Sequence, residues 1–352
     1  MSSELDDLAA AVRSVLDRRW SPAALRAAIG SSTGYDADLW AVLCEQVGVA
    51  ALAVPDEAGG LGAGVRALQT VAEQFGRVVI PSPFLGSSVL ATALLTQCGP
   101  AATPTLTEVA TGARTATVAF AGADFADRPL AAADGSISGT ARLVLDGDLV
   151  NDLVVVATDQ RGLGTYLVAG AAAQRRHTPG MDPTRRFAEV TFDAVPARML
   201  LDDAGPALER ALDVACAVLA AEQVGAAAGA LESTVEYTKS RVQFGRPIGS
   251  FQALKHRMAD LFVLVEAARS AAYAAGSALD SGDADAGLAV ATAKTYCSEA
   301  FETVAGEMIQ LHGGIGITWE HDAHLYFKRA HGSAQLFGDP AGYLCRRPLV
   351  HS

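Results

Sequence analysis

PALERALDVACAVLAAEQVGAAAGALESTVEYTKSR, residues 206–241, reads as one long helical pattern opened by a proline, and it decides the architecture of the chain. Outward from it the same pattern recurs in FQALKHRMADLFVLVEAARSAAYAAGSALD (251–280), in a stretch from about 286 to Leu311, and in a last helix from about His321 to Phe337. The linker SGDADAG and the turn HGGIGIT punctuate these runs. Helices this long, joined by brief connections, predict an antiparallel four-helix bundle over residues 204–352.

Upstream the character changes. Between 111 and 203 short β-rich runs (TATVAFAG, RLVLDG, LVVVAT, TYLVAG, FAEVTFDAV) are separated by Gly, Asp and Pro. No long helix interrupts them, which disfavours a βαβ nucleotide fold and predicts a small β-barrel or sandwich. Residues 1–110 return to apolar spacings of three and four, in ELDDLAAAVRSVLDRRW, ADLWAVLCEQVG and VRALQTVAEQFGRVV, with turn clusters such as GSSTG and PSP between them. The expectation is an α+β chain: an N-terminal helical domain (1–110), a middle β domain (111–203) and the bundle (204–352).

At 352 residues the chain exceeds the usual size of a single core, so several subdomains are expected, and 50% apolar content supplies their interiors. A net charge of -12 argues against nucleic-acid binding by a diffuse basic surface. Cys44, Cys98, Cys216, Cys297 and Cys345 are odd in number and never form a CxxC pair, which suits reduced thiols. The acidic, amphipathic start MSSELDDLAAAVRSVLDRRW lacks a secretory layout, and no uninterrupted apolar stretch of membrane-spanning length is expected, so the reading is cytoplasmic.

Four strings carry a resemblance: VGVAALAVPDEAGGLGAG (47–64), FAEVTFDAVPA (187–197), RVQFGRPIGSFQ (241–252) and QLHGGIGIT (310–318). In these, and in its order of helical, β and long-helix domains, the chain resembles the acyl-CoA dehydrogenase family. The resemblance implies FAD as cofactor. Such a dinucleotide needs a fixed cation, amide donors and glycines that let the backbone approach. In the family these elements reach across a subunit interface to the neighbour's FAD. Carried over, Arg241 pairs with the pyrophosphate, Phe244 packs near the adenine end, Gln252 donates a hydrogen bond, and Gln310, Gly313 and Gly314 form the turn that receives the ADP moiety. Taken singly, each also reads as a surface Arg, a core Phe or a turn glycine.

Two departures from the family pattern matter. Relatives hold the flavin ring with a TEPxAGSD-like loop and a WITNG-like strand, whereas this chain has FAGADFAD (120–127) and LVLDGD (143–148). The family also needs a carboxylate beside the substrate's α-carbon. Its two usual locations fall on Phe337, followed by Gly338, and on Ala215. Neither accepts a proton. Glu222, in the apolar stretch AVLAAEQVGAAAG, is the alternative base, while Glu209 and Asp213 read as helix-end charges and Asp339 as a cap or turn.

The pattern resembles the non-catalytic subunit of actinobacterial α2β2 acyl-CoA dehydrogenases, several of which act on sterol side-chain or similarly bulky CoA thioesters. It implies a homologous partner carrying the base, an acyl-CoA substrate, and an electron-transfer flavoprotein as electron acceptor. The alternatives are a homo-oligomeric dehydrogenase using Glu222, and a non-enzymatic scaffold or acyl-CoA-binding protein. His321, His324 and His331 could share a helical face, but a fourth zinc ligand is lacking, and no metal is expected. GGLGAG (59–64) is not spaced as GxGxxG and reads as a turn.

Overall fold

A computed structural model describes residues 2–120, 130–340 and 342. Six helices come first: α1 (Ser2–Arg19), α2 (Pro22–Gly30), α3 (Ala37–Val47), α4 (Gly64–Arg77), α5 (Thr92–Gln97) and α6 (Thr103–Ala110). Local chemistry sets their ends. The Asp36 side chain accepts from Leu39 N (2.9 Å) to start α3, and Gly48, at φ 78°, stops it. Ahead of α5 the chain winds as a π-helix, Phe84–Ala91, all of it buried. Two compact units result, residues 1–68 with 81–215 and residues 69–80 with 216–352.

The first unit contains an eight-stranded sheet: β1 (Ala116–Ala119), β2 (Ala131–Ala133), β3 (Ser136–Leu145), β4 (Asp152–Asp159), β5 (Gly162–Ala169), β6 (Gln174–Thr178), β7 (Phe187–Pro196) and β8 (Arg198–Leu201). Its path runs β6-β7-β3-β2-β4-β5-β8, and β1 adds to β4 in parallel. Alternation builds the core, since Ala188, Val190 and Phe192 of β7 point inward with Ile137 and Ala141 of β3. Beyond Phe192 the phase slips by one: Gly139 pairs with Phe192 but Ile137 with Val195, and Ala194 takes φ 47°. That extra residue is a β-bulge, and it returns Val195 to the core.

The second unit is built on α7 (Gly205–Ser240) from Cys216 onward, α8 (Gln252–Ser281), α9 (Ala286–His312) and α10 (Ala323–Gln335), joined by residues 69–80. Glycines let two helices approach closely. A Cβ at Gly225 would overlap the Glu73 carbonyl, one at Gly229 the Arg77 carbonyl, and one at Gly76 the Glu222 carbonyl. Gln69 Nε2 then donates to Ala217 O (3.0 Å) and Ala272 O (2.6 Å), tying α7 to α8. By length and composition α7 is apolar enough to cross a membrane, which corrects the expectation of no such stretch, yet its apolar window is wholly buried.

Several buried polar groups in this unit are paired. Lys294, fully buried, donates to the carbonyls of Ala334 (2.7 Å) and Ser333 (3.2 Å) in the last turn of α10, where carbonyl ends favour a cation. Gln223 Nε2 bridges Ser298 Oγ (3.1 Å) and Ser333 Oγ (3.2 Å), and the Glu73 carboxylate is held by Arg269 and by the Tyr273 hydroxyl.

Candidate functional site

At the end of α7 the chain leaves the helix through Arg241 and forms a small hairpin, β9 (Val242–Gln243) against β10 (Arg246–Pro247). Its two central residues, Phe244 and Gly245, have φ of 54° and 76°. Two positive φ angles are what a tight type I′ hairpin turn requires. Glycine meets that requirement freely, whereas an aromatic residue is strained there. Burial gives nothing back, because Phe244 is 92% exposed. The ring is nonetheless steadied: Phe251 meets it edge-on at 6.2 Å, and the Arg246 guanidinium stands 4.0 Å from the Phe251 ring centre.

Ile248 N donates to Arg241 O (2.8 Å), closing the hairpin back onto α7. Arg241 is exposed, has no carboxylate partner among the described residues, and so presents a free cation. Gln252, the first residue of α8, is also exposed.

The second segment begins at the end of α9. Gln310 is exposed, and Gly313, at φ 62° and ψ -142°, turns the chain in a conformation suited to glycine. Gly314 differs. Its φ is not in the left-handed region, and a Cβ there would meet nothing within 4 Å. Nothing in the chain's own packing requires glycine at that position, whereas a ligand lying against the backbone would.

An aromatic clasp brings the two segments together. Tyr237 of α7 stacks on His312 at 4.3 Å, and His312 lies 4.3 Å from the His321 ring. Tyr237 Oη donates to His312 O (3.3 Å). His312 Nδ1 faces the Met308 carbonyl at 2.8 Å, which only accepts, so Nδ1 carries the proton. The buried Nε2 has no partner, and burial pushes the imidazole below its ordinary pKa, with His321 adding in the same direction. The six residues singled out for the flavin thus lie in two segments clasped at one end of the bundle. No spacing rule pointed to Tyr237, His312 or His321, whose pairing is purely tertiary.

The positions expected to carry a base are closed. Ala215 is fully buried, and Phe337 is 6% exposed at φ 65°, followed by Gly338 at φ 106°. The Glu222 carboxylate is taken up by Arg329, whose Nε and Nη2 donate to Oε1 at 3.0 and 2.9 Å. Asp213 is buried and partnered, Glu209 is exposed, and Asp339 Oδ1 accepts from Gly342 N (2.8 Å).

In the β domain, most of FAGADFAD (120–127) lies outside the described residues. LVLDGD (143–148) closes β3 with Leu143 and Asp146 at positive φ, and Asp148 pairs with Arg186 at 2.7 Å. The three histidines are engaged separately. His321 precedes α10 and accepts from Ala323 N, His324 meets the Trp319 ring, and His331 faces Glu302 at 3.0 Å. Among the described residues no group of three or more His, Cys, Asp or Glu is gathered to hold a metal.

Comparison with known proteins identifies the family. Residues 2–104 match the acyl-CoA dehydrogenase N-terminal domain, and residues 205–339 match the acyl-CoA dehydrogenase C-terminal domain. The chain is 44% identical over 335 residues to the acyl-CoA dehydrogenase IpdE2 of Mycobacterium tuberculosis, covering 95% of this chain and 93% of that one. Among solved structures it is similar to the Tcur3481-Tcur3483 steroid ACAD, at 33% identity and a TM-score of 0.88 over 98% of this chain and 96% of the other. The ChsE4-ChsE5 complex of M. tuberculosis is 27% identical, with a TM-score of 0.88 over 97% and 95% of the two chains.

Proposed function

Because the chain belongs to the acyl-CoA dehydrogenase family, whose members use FAD, we propose that it is one subunit of a heteromeric acyl-CoA dehydrogenase and completes a FAD site shared with a homologous, base-carrying partner. The observation that carries this reading is the clasped pair of segments at the bundle end. Arg241 offers a counter-charge to a pyrophosphate, Gly314 leaves its backbone open to close approach, and Phe244 is held outward at a conformational cost that the chain alone does not recover.

Those residues fit the distal half of the dinucleotide. The ring half is less well provided, since LVLDGD has neither the hydroxyl nor the aromatic contact expected there. Bound in the shared site, FAD supplies the hydride acceptor for oxidation between the α and β carbons of an acyl-CoA. The α-proton needs a carboxylate that Ala215 and Phe337 do not offer, and Glu222 is already ion-paired. The partner subunit therefore holds the base. The similarity to a steroid ACAD and to the ChsE4-ChsE5 complex supports a heteromer acting on a bulky acyl-CoA, with an electron-transfer flavoprotein as acceptor.

The visible absorption spectrum tests this, measured on the chain alone and after co-expression with a homologue that keeps its base. Flavin bound only by the pair, bleached by acyl-CoA and lost on Arg241→Ala, is the expected outcome. Flavin and bleaching in the lone chain would transfer the role to a homo-oligomer. A pair whose flavin and activity ignore Arg241→Ala would reduce the chain to a scaffold.

A further inference from the structure

We draw no further inference here: the strongest candidate, the apolar patch of Phe262 and Val263 midway along α8, 58% and 66% exposed, carries nothing because nothing in the structure shows what covers it.

Discussion

Within the bundle unit, the interior and the exposed end treat charge and aromatic surface in opposite ways. Inside, Glu222 meets Arg329, Lys294 meets the end of α10, and Glu73 meets Arg269 and Tyr273. At the end, Arg241 has no such partner among the described residues, Phe244 is 92% exposed on a strained turn, and Trp319 is 73% exposed. A protein that needed only to fold would have little use for the second pattern. The difference marks where this chain is finished by itself and where it is finished by something else.

The largest effect that could break this contrast belongs to the interior. Arg329→Ala leaves the Glu222 carboxylate buried without its cation, and the expected loss is about 3–5 kcal/mol of unfolding free energy by denaturant titration. Replacing both residues with methionine should recover most of that loss, because a well-packed apolar pair avoids the desolvation of two charges. Glu222→Gln should lower stability without changing the turnover of whatever complex still assembles. If turnover collapsed while the fold survived, Glu222 would be the base and the bundle interior would not be purely structural.

At the exposed end the sign differs. Phe244→Gly relieves a left-handed backbone cost of roughly 1–2 kcal/mol, offset by greater chain entropy in the unfolded state and by the lost edge contact with Phe251. The stability of the lone chain should therefore stay within about 0.5 kcal/mol of the parent or rise. The partnered complex should hold its flavin at least about tenfold more weakly, some 1.4 kcal/mol, read by retention through gel filtration. A destabilisation of the lone chain beyond about 1.5 kcal/mol would make Phe244 a structural residue and erase the contrast.

How much of this could be read beforehand depended on range. The long helices were legible because an unbroken 3.6-residue pattern is local, and α9 and α10 end within two residues of their expected limits. β1, β4, β5, β7 and the end of β3 were legible as β-rich runs bounded by Gly, Asp and Pro, but β2, β6 and β8 were not. β6, QRRHT, is a mostly exposed edge strand without an apolar face. The bulge at Ala194 and the π-helix Phe84–Ala91 escaped because neither changes composition. Residues 69–80 read with the N-terminal helices and yet pack with α7, a pairing signalled only by Gly225 and Gly229 four apart. The cofactor segments were visible as motifs, whereas the clasp that joins them links Tyr237 to His312 and His321 across the chain.

That clasp allows the finest test, because it is the one place where the exposed end borrows the buried character of the interior. His312 is held neutral: Nδ1–H is spent on Met308 O, Tyr237 covers one face, and His321 stands 4.3 Å away, where a second positive charge would repel it. Its pKa in the folded chain is lowered, chiefly by burial. The unfolded chain therefore takes up the proton first as pH falls. The stability contributed by neutral His312 is complete above the unfolded value, near 6.5, and is lost as pH falls from there through the lower folded value. His312→Asn keeps a donor for Met308 O but cannot be charged, so its melting temperature should depend less on pH than the parent's between about pH 7 and 5. The difference should be the smallest of these effects, and it should be accompanied by weaker flavin retention in the parent complex at the acid end. Parallel melting curves for parent and variant across that range would mean that the clasp is indifferent to charge and joins the two segments by packing alone.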